Sequence, residues 1–148
     1  VTKKSKLSGH VDALKAISDV DVDVGWFEDA RYKTGQSVAA VMIANEFGTA
    51  RAPARPLLRQ SAAIIESKLP AFVARRSLEV LDGSLTADAM VSRVGGALVE
   101  TVLSTLKAGN FEKNADSTIE AKGFNRPLVH TSELGQTLTF REHKGPAQ

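Results

Sequence analysis

The sequence predicts an α+β fold, a small antiparallel sheet packed against two long amphipathic helices with shorter helices beside them. Three observations carry this expectation. Residues 19–27 alternate between aspartate and valine, the period of a half-buried strand. Residues 57–81 and 86–106 repeat apolar side chains at three- and four-residue spacing, the period of helices with one buried face. A second short alternation, Leu138 and Phe140 against Thr137, Thr139 and Arg141, supplies a partner strand.

In chain order, residues 1–7 are polar and basic, with Lys3, Lys4 and Lys6, and read as a flexible arm. Ser8 caps a short helix over 8–18, in which Val11, Leu14 and Ile17 recur every third residue. In the strand that follows, Val20, Val22 and Val24 face one way, and Asp19, Asp21 and Asp23 the other. Three carboxylates on one face invite a calcium reading, which fails on its own pattern: Val24 stands where the turn glycine belongs, and Ala30 where the closing Glu belongs. A solvated strand face is the expectation.

Residues 28–36 form a polar loop, and Ser37 caps a helix running to Phe47. Val38, Val41, Met42 and Ala44-Asn45 give that helix its buried side, and Gly48 stops it. Pro53 and Pro56 exclude helix from 49–56 by forcing extended geometry on the residues before them. A long helix opens at Leu57 with Leu58, Ala62, Ile65, Leu69 and Phe72 as its stripe, resumed by Val80-Leu81. Pro70 is expected to kink or divide it, and Asp82-Gly83 closes it. Thr86 caps the next helix, Met90, Val91, Val94, Leu98, Val102 and Leu106 line it, and Gly109 ends it. Gly95-Gly96 inside that helix costs about 1 kcal/mol per glycine against alanine, so the pair signals close backbone packing. Residues 110–127 are a polar connection, 134–142 the last strand, and 143–148 a frayed tail.

At 148 residues the chain suits one domain, expected over 8–142. Its 43% hydrophobic content builds a core mainly of aliphatic side chains, since only 5% is aromatic. A net charge of +2 is too small to argue nucleic-acid binding. With no cysteine, disulfides and thiolate zinc sites are excluded. Val-Thr-Lys-Lys-Ser-Lys at the start lacks the apolar segment of a secretory signal, and no continuous apolar run has membrane-spanning length. The expectation is a soluble, cytoplasmically made protein with no membrane partner.

No catalytic constellation emerges. His10, His130 and His143 share no ligand spacing, and there is no phosphate loop, dinucleotide fingerprint or nucleophile elbow. Glu46, at a helix end beside Phe47, reads as a buried structural hydrogen-bonding group. No catalytic, cofactor or metal residue is expected. The most suggestive feature is basic: Arg51, Arg55 and Arg59, in and just after a proline-stiffened loop. These fit a phosphate backbone or an acidic partner surface, against the plainer reading of a solvated loop. Without interleaved aromatics, stacking on single-stranded bases is not supported.

The run Val24-Gly25-Trp26-Phe27, then Ser37 to Val41 leading into Asn45-Glu46-Phe47-Gly48-Thr49, then Pro53-Ala54-Arg55-Pro56-Leu57-Leu58-Arg59, resembles the virion-morphogenesis (tail-completion) family of tailed, Mu-like bacteriophages. Its members show an (H/N)EFG segment, a short loop, and PARPFLR opening a long helix; Leu57 stands where Phe is usual. Thr118-Ile119-Glu120-Ala121-Lys122-Gly123 and Arg126-Pro127-Leu128-Val129-His130-Thr131 are similar to the family's closing motif, with His130 for the usual Asp, Ser132 for the usual Gly, and Leu134 kept. The resemblance spans 20–141. It implies a structural neck protein that joins its own copies in a hexameric ring between head connector and tail tube. It implies head-connector and tail proteins as neighbours, location in the virion after assembly in the bacterial cytoplasm, no cofactor and no catalysis.

Under this reading Glu46, Phe47, Gly48, Arg51, Pro53, Arg55, Pro56 and Arg59 form an interface or connector loop. Arg51, Arg55 and Arg59 meet acidic neighbours or passing DNA, and the last strand offers an edge for pairing across subunits. Two rivals differ in class: a small double-stranded DNA-binding protein using the same arginines, and a hydrolase gathering Glu46, the aspartate face and a histidine.

Overall fold

In the computed structural model, residues 3–111, Glu120 and 133–145 are described. The element order is α1 (Lys3–Ser18), β1 (Val20–Gly25), α2 (Val38–Phe47), α3 (Leu57–Leu81), α4 (Ala87–Ala108), α5 (Glu133–Gln136) and β2 (Thr139–Lys144). Strands β1 and β2 pair antiparallel in a two-stranded sheet, giving the α+β class. The chain forms two compact units. One comprises Val1–Val24, Ile65–Leu98 and Phe140–Gln148, the other Gly25–Ile64 and Val99–Thr139.

In the first unit the valines of β1 are half-buried and its aspartates exposed, as period-two alternation dictates. β1 is shorter than the 19–27 alternation, because Trp26 and Phe27 leave the ladder. α1 begins at Lys3 rather than Ser8, so helix runs through most of the segment read from composition as an arm. Val80, Leu85 and Met90 form a buried cluster covered by Ala13 and Ile17 of α1 and Val73 of α3. α4 starts where Thr86 Oγ1 accepts the Ala89 amide at 3.2 Å. The Phe140 ring of β2 lies against Gly95, whereas Gly96 faces open space. The glycine pair therefore does bring backbone close to a neighbour, through one of its two members.

α3 runs undivided from Leu57 to Leu81 with Pro70, expected to kink or divide it, inside. Proline lacks the N–H that would reach the Glu66 carbonyl and its ring crowds that carbonyl, a cost the 25-residue helix absorbs at an exposed position.

The second unit buries Trp26, Val38, Met42, Leu57, Val102, Leu106, Leu134 and Leu138. Trp26 Nε1 donates to the Leu134 carbonyl at 2.8 Å, satisfying the one polar atom of a buried indole. Residues 133–136 are helix, not the start of the last strand, and β2 extends to Lys144, into the segment expected to fray. By length and composition α4 is the one described helix able to cross a membrane. Met90, Val91, Leu98, Val102 and Leu106 are already buried by protein, the pattern of a core helix.

Candidate functional site

Asn45 to Arg59 folds into a connector held at both ends. Ser37 Oγ accepts the Ala40 amide at 3.3 Å and starts α2 in the expected place. Gly48 ends it at φ 75°, ψ 175°, a conformation open to glycine and costly for other residues. A Cβ there would also lie 2.8 Å from the Ala54 amide nitrogen, so the returning loop passes where a side chain would be. Thr49 and Ala52 pair in an antiparallel bridge, Thr49 N to Ala52 O at 2.9 Å and Ala52 N to Thr49 O at 3.3 Å. Thr49 Oγ1 accepts the Arg51 and Ala52 amides. Ala50 and Arg51 thus stand at the exposed tip of a tight turn.

The beginning of α3 is completed by α2. The residue before the helix is Pro56, whose side chain cannot accept a hydrogen bond, so the first-turn amides need another acceptor. Glu46 provides it: Oε2 accepts Leu58 N at 2.9 Å and Oε1 accepts Arg59 N at 3.0 Å. The Leu57 amide donates to the Arg55 carbonyl at 2.8 Å. Arg59 closes the arrangement, its Nε donating to Glu46 Oε1 at 3.1 Å and its Nη2 to the Glu46 carbonyl at 2.8 Å. A carboxylate against the positive end of a helix dipole stabilises by about 1 kcal/mol, rising toward about 2 when partly buried. Glu46 is only 4% exposed, and its hydrogen bonds give it the structural role expected from sequence.

The three loop arginines have different fates. Arg51 is exposed at the turn tip. Arg55, expected as a contact, is only 9% exposed. Its amide donates to the Asn45 carbonyl at 2.6 Å and its Nη1 to Asn45 Oδ1 at 3.5 Å, so it fastens the loop to α2. Arg59 is tied to Glu46 but presents its guanidinium 5.6 Å above the Phe47 ring, and Phe47 is 72% exposed. Pro53 is exposed and Pro56 half-buried. The stripe of α3 also differs at its start. Leu57 and Ser61 are buried, not Leu58 and Ala62, and the Ser61 hydroxyl donates to the Leu57 carbonyl at 2.8 Å. A serine satisfied by its own helix can occupy a core position that hydropathy assigns to apolar residues.

A second basic group went unnoticed in the sequence because its members lie on two helices. Glu79 is approached by Arg76 at 2.6 Å, Arg93 at 3.6 Å and Arg75 at 3.8 Å. Arg76 also lies over Phe72, and its Nε lacks a hydrogen-bond partner. The spacing of Arg75, Arg76 and Glu79 was readable on one helix face; the arrival of Arg93 was not.

Of the histidines, His10 is exposed and His143 Nε2 lies 3.0 Å from Asp23 Oδ2. His130, Ser132 and the motif through 131, apart from the exposed Glu120, lie outside the described residues. Among the described residues no three His, Asp or Glu side chains gather as a metal site. Among the described residues, neither the groove between Val11, Leu14, Val73 and Met90 nor the one between Phe27, Arg31 and Thr139 is lined by Glu46, the aspartate face or a histidine.

Comparison of the chain with protein-family models, curated proteins and solved structures finds no match.

Proposed function

We propose that this protein is a structural component of the bacteriophage neck, acting in tail completion or head–tail joining and assembling as a hexameric ring between head connector and tail tube. The observation that carries this reading is the connector itself. The segment that bears the resemblance is a rigid turn, fixed at both ends by buried Glu46 and Arg55, that holds Phe47 and Arg51 out to solvent. Exposed aromatic and arginine side chains on a preorganised scaffold are the groups that dominate protein–protein contacts. A ring of identical subunits needs two complementary surfaces per chain and no reactive centre.

The test is the mass of the native particle, measured on purified protein and again after mixing with the tails of its virion. A ring, alone or on tails, supports the proposal; a monomer under both conditions overturns it.

Arg51, exposed at the turn tip near Arg55 and Arg59 in sequence, favours a second reading as a duplex-DNA-binding protein. That reading requires a salt-dependent shift of labelled duplex, weakened by Arg51→Ala. No shift at low salt removes it.

A further inference from the structure

Arg75, Arg76 and Arg93 surround one carboxylate and share it unequally. Arg76 takes it: its Nη1 donates to both Glu79 oxygens, at 2.7 and 2.6 Å, and its guanidinium is held over the Phe72 ring. Arg75 Nε stands 3.8 Å from Oε1 and Arg93 Nη1 3.6 Å from Oε2, both beyond hydrogen-bond length. Their side chains are 76% and 54% exposed. Among the described residues neither guanidinium makes a hydrogen bond or has a second carboxylate within ion-pairing distance. Three positive charges therefore share one negative charge, and the two outer arginines keep their N–H donors for another acceptor.

We propose that Arg75 and Arg93 form a binding site for a phosphate dianion, free or as a monoester, with the Arg76–Glu79 pair as the fixed base between them. Charge and oxygen count select this ligand. A carboxylate brings one charge and two oxygens, which a single guanidinium fork satisfies. A phosphate monoester brings about −1.5 to −2 at neutral pH and three strong acceptor oxygens, enough to bridge two guanidinium groups and to balance the local excess. A phosphodiester brings one charge and fits less well. Arginine suits the task because its planar fork matches phosphate geometry and stays charged at every working pH. The helices make the site: α3 places Arg75 one turn before Glu79, and α4 delivers Arg93 to the other oxygen. The inference depends on neither reading above.

Inorganic phosphate, ethyl phosphate and diethyl phosphate are titrated into the protein at constant low ionic strength while the arginine Nε–H resonances are followed by NMR. The expected result is a saturable shift at Arg75 and Arg93 with the first two probes, and binding about tenfold weaker for monoanionic diethyl phosphate. Ethyl phosphate binding more tightly than inorganic phosphate assigns the site to an esterified ligand, and the reverse order to the free ion. The double variant Arg75→Gln/Arg93→Gln, changed only at exposed positions, is expected to weaken phosphate about tenfold or more with the circular dichroism spectrum unchanged. Lys15→Gln/Lys68→Gln removes the same charge from exposed positions elsewhere and is expected to leave binding as it was. No saturable shift with inorganic phosphate, equal binding of all three probes, or equal weakening by the two double variants overturns the proposal.

Discussion

Gly95 of α4 lies directly under the ring of Phe140 from β2, so that a methyl group added to the glycine would overlap the ring carbons. The neighbouring Gly96 has nothing within reach of a Cβ. Sheet and helix meet here because one residue lacks a side chain. Gly95→Ala is expected to destabilise the protein by about 1–3 kcal/mol, the usual cost of overpacking. Gly96→Ala is expected to be neutral or to stabilise by up to about 1 kcal/mol through helix propensity. Urea denaturation of the two variants checks the contrast, and equal effects would contradict this packing.

Removing the Glu46 carboxylate leaves the Leu58 and Arg59 amides without their acceptor and takes one of two hydrogen bonds from the Arg59 guanidinium. Glu46→Ala is expected to cost about 2 kcal/mol, the combined scale of a lost helix cap and unsatisfied buried donors. Glu46→Gln keeps one acceptor oxygen and should lose less. Thermal melts of both variants measure the difference.

Gly48 combines a positive φ with a loop backbone packed where its Cβ would be. Gly48→Ala is therefore expected to cost more than the roughly 1 kcal/mol of a strained dihedral alone. Faster amide exchange at Thr49 and Ala52, whose bridge closes the turn, would be the accompanying sign.

Tyr32 is the only tyrosine, so phenolate absorbance reports it without overlap. Burial first, and the nearby Glu133 charge second, push its pKa above the ordinary phenol value. With the folded pKa above the unfolded one, the stability it contributes is complete below the unfolded pKa and is lost as pH rises through the folded pKa. Spectrophotometric titration of the native protein should give a midpoint above that of the urea-unfolded chain. Glu133→Gln should narrow the gap without closing it, since burial is the larger cause.

Much of this architecture is legible in residue order. The Asp–Val alternation, the Ser37 and Thr86 caps and the glycine stops at Gly48 and Gly109 are local rules, and each acts where expected. What escapes is non-local or chemically disguised. Leu57 and Ser61 face inward because Glu46 fixes the start of α3 and serine satisfies its own hydroxyl. Residues 133–136 form a helical turn where period-two patterning suggests strand, with Trp26 bonded to the Leu134 carbonyl. Arg55 looks like a surface charge until Asn45 is placed beside it. Arg75, Arg76 and Arg93 become one group only once two helices are side by side.

The cap of α3 comes from a residue 12 and 13 positions before the amides it binds. A peptide containing α3 alone therefore lacks the acceptor for its own first turn and should fray there in isolation. Nucleation of that turn must wait for the loop between the helices to close, which couples the two elements kinetically. Lengthening the 48–56 loop should accordingly slow refolding while leaving the mature helix intact, so that the connector governs when the long helix forms as well as where it points.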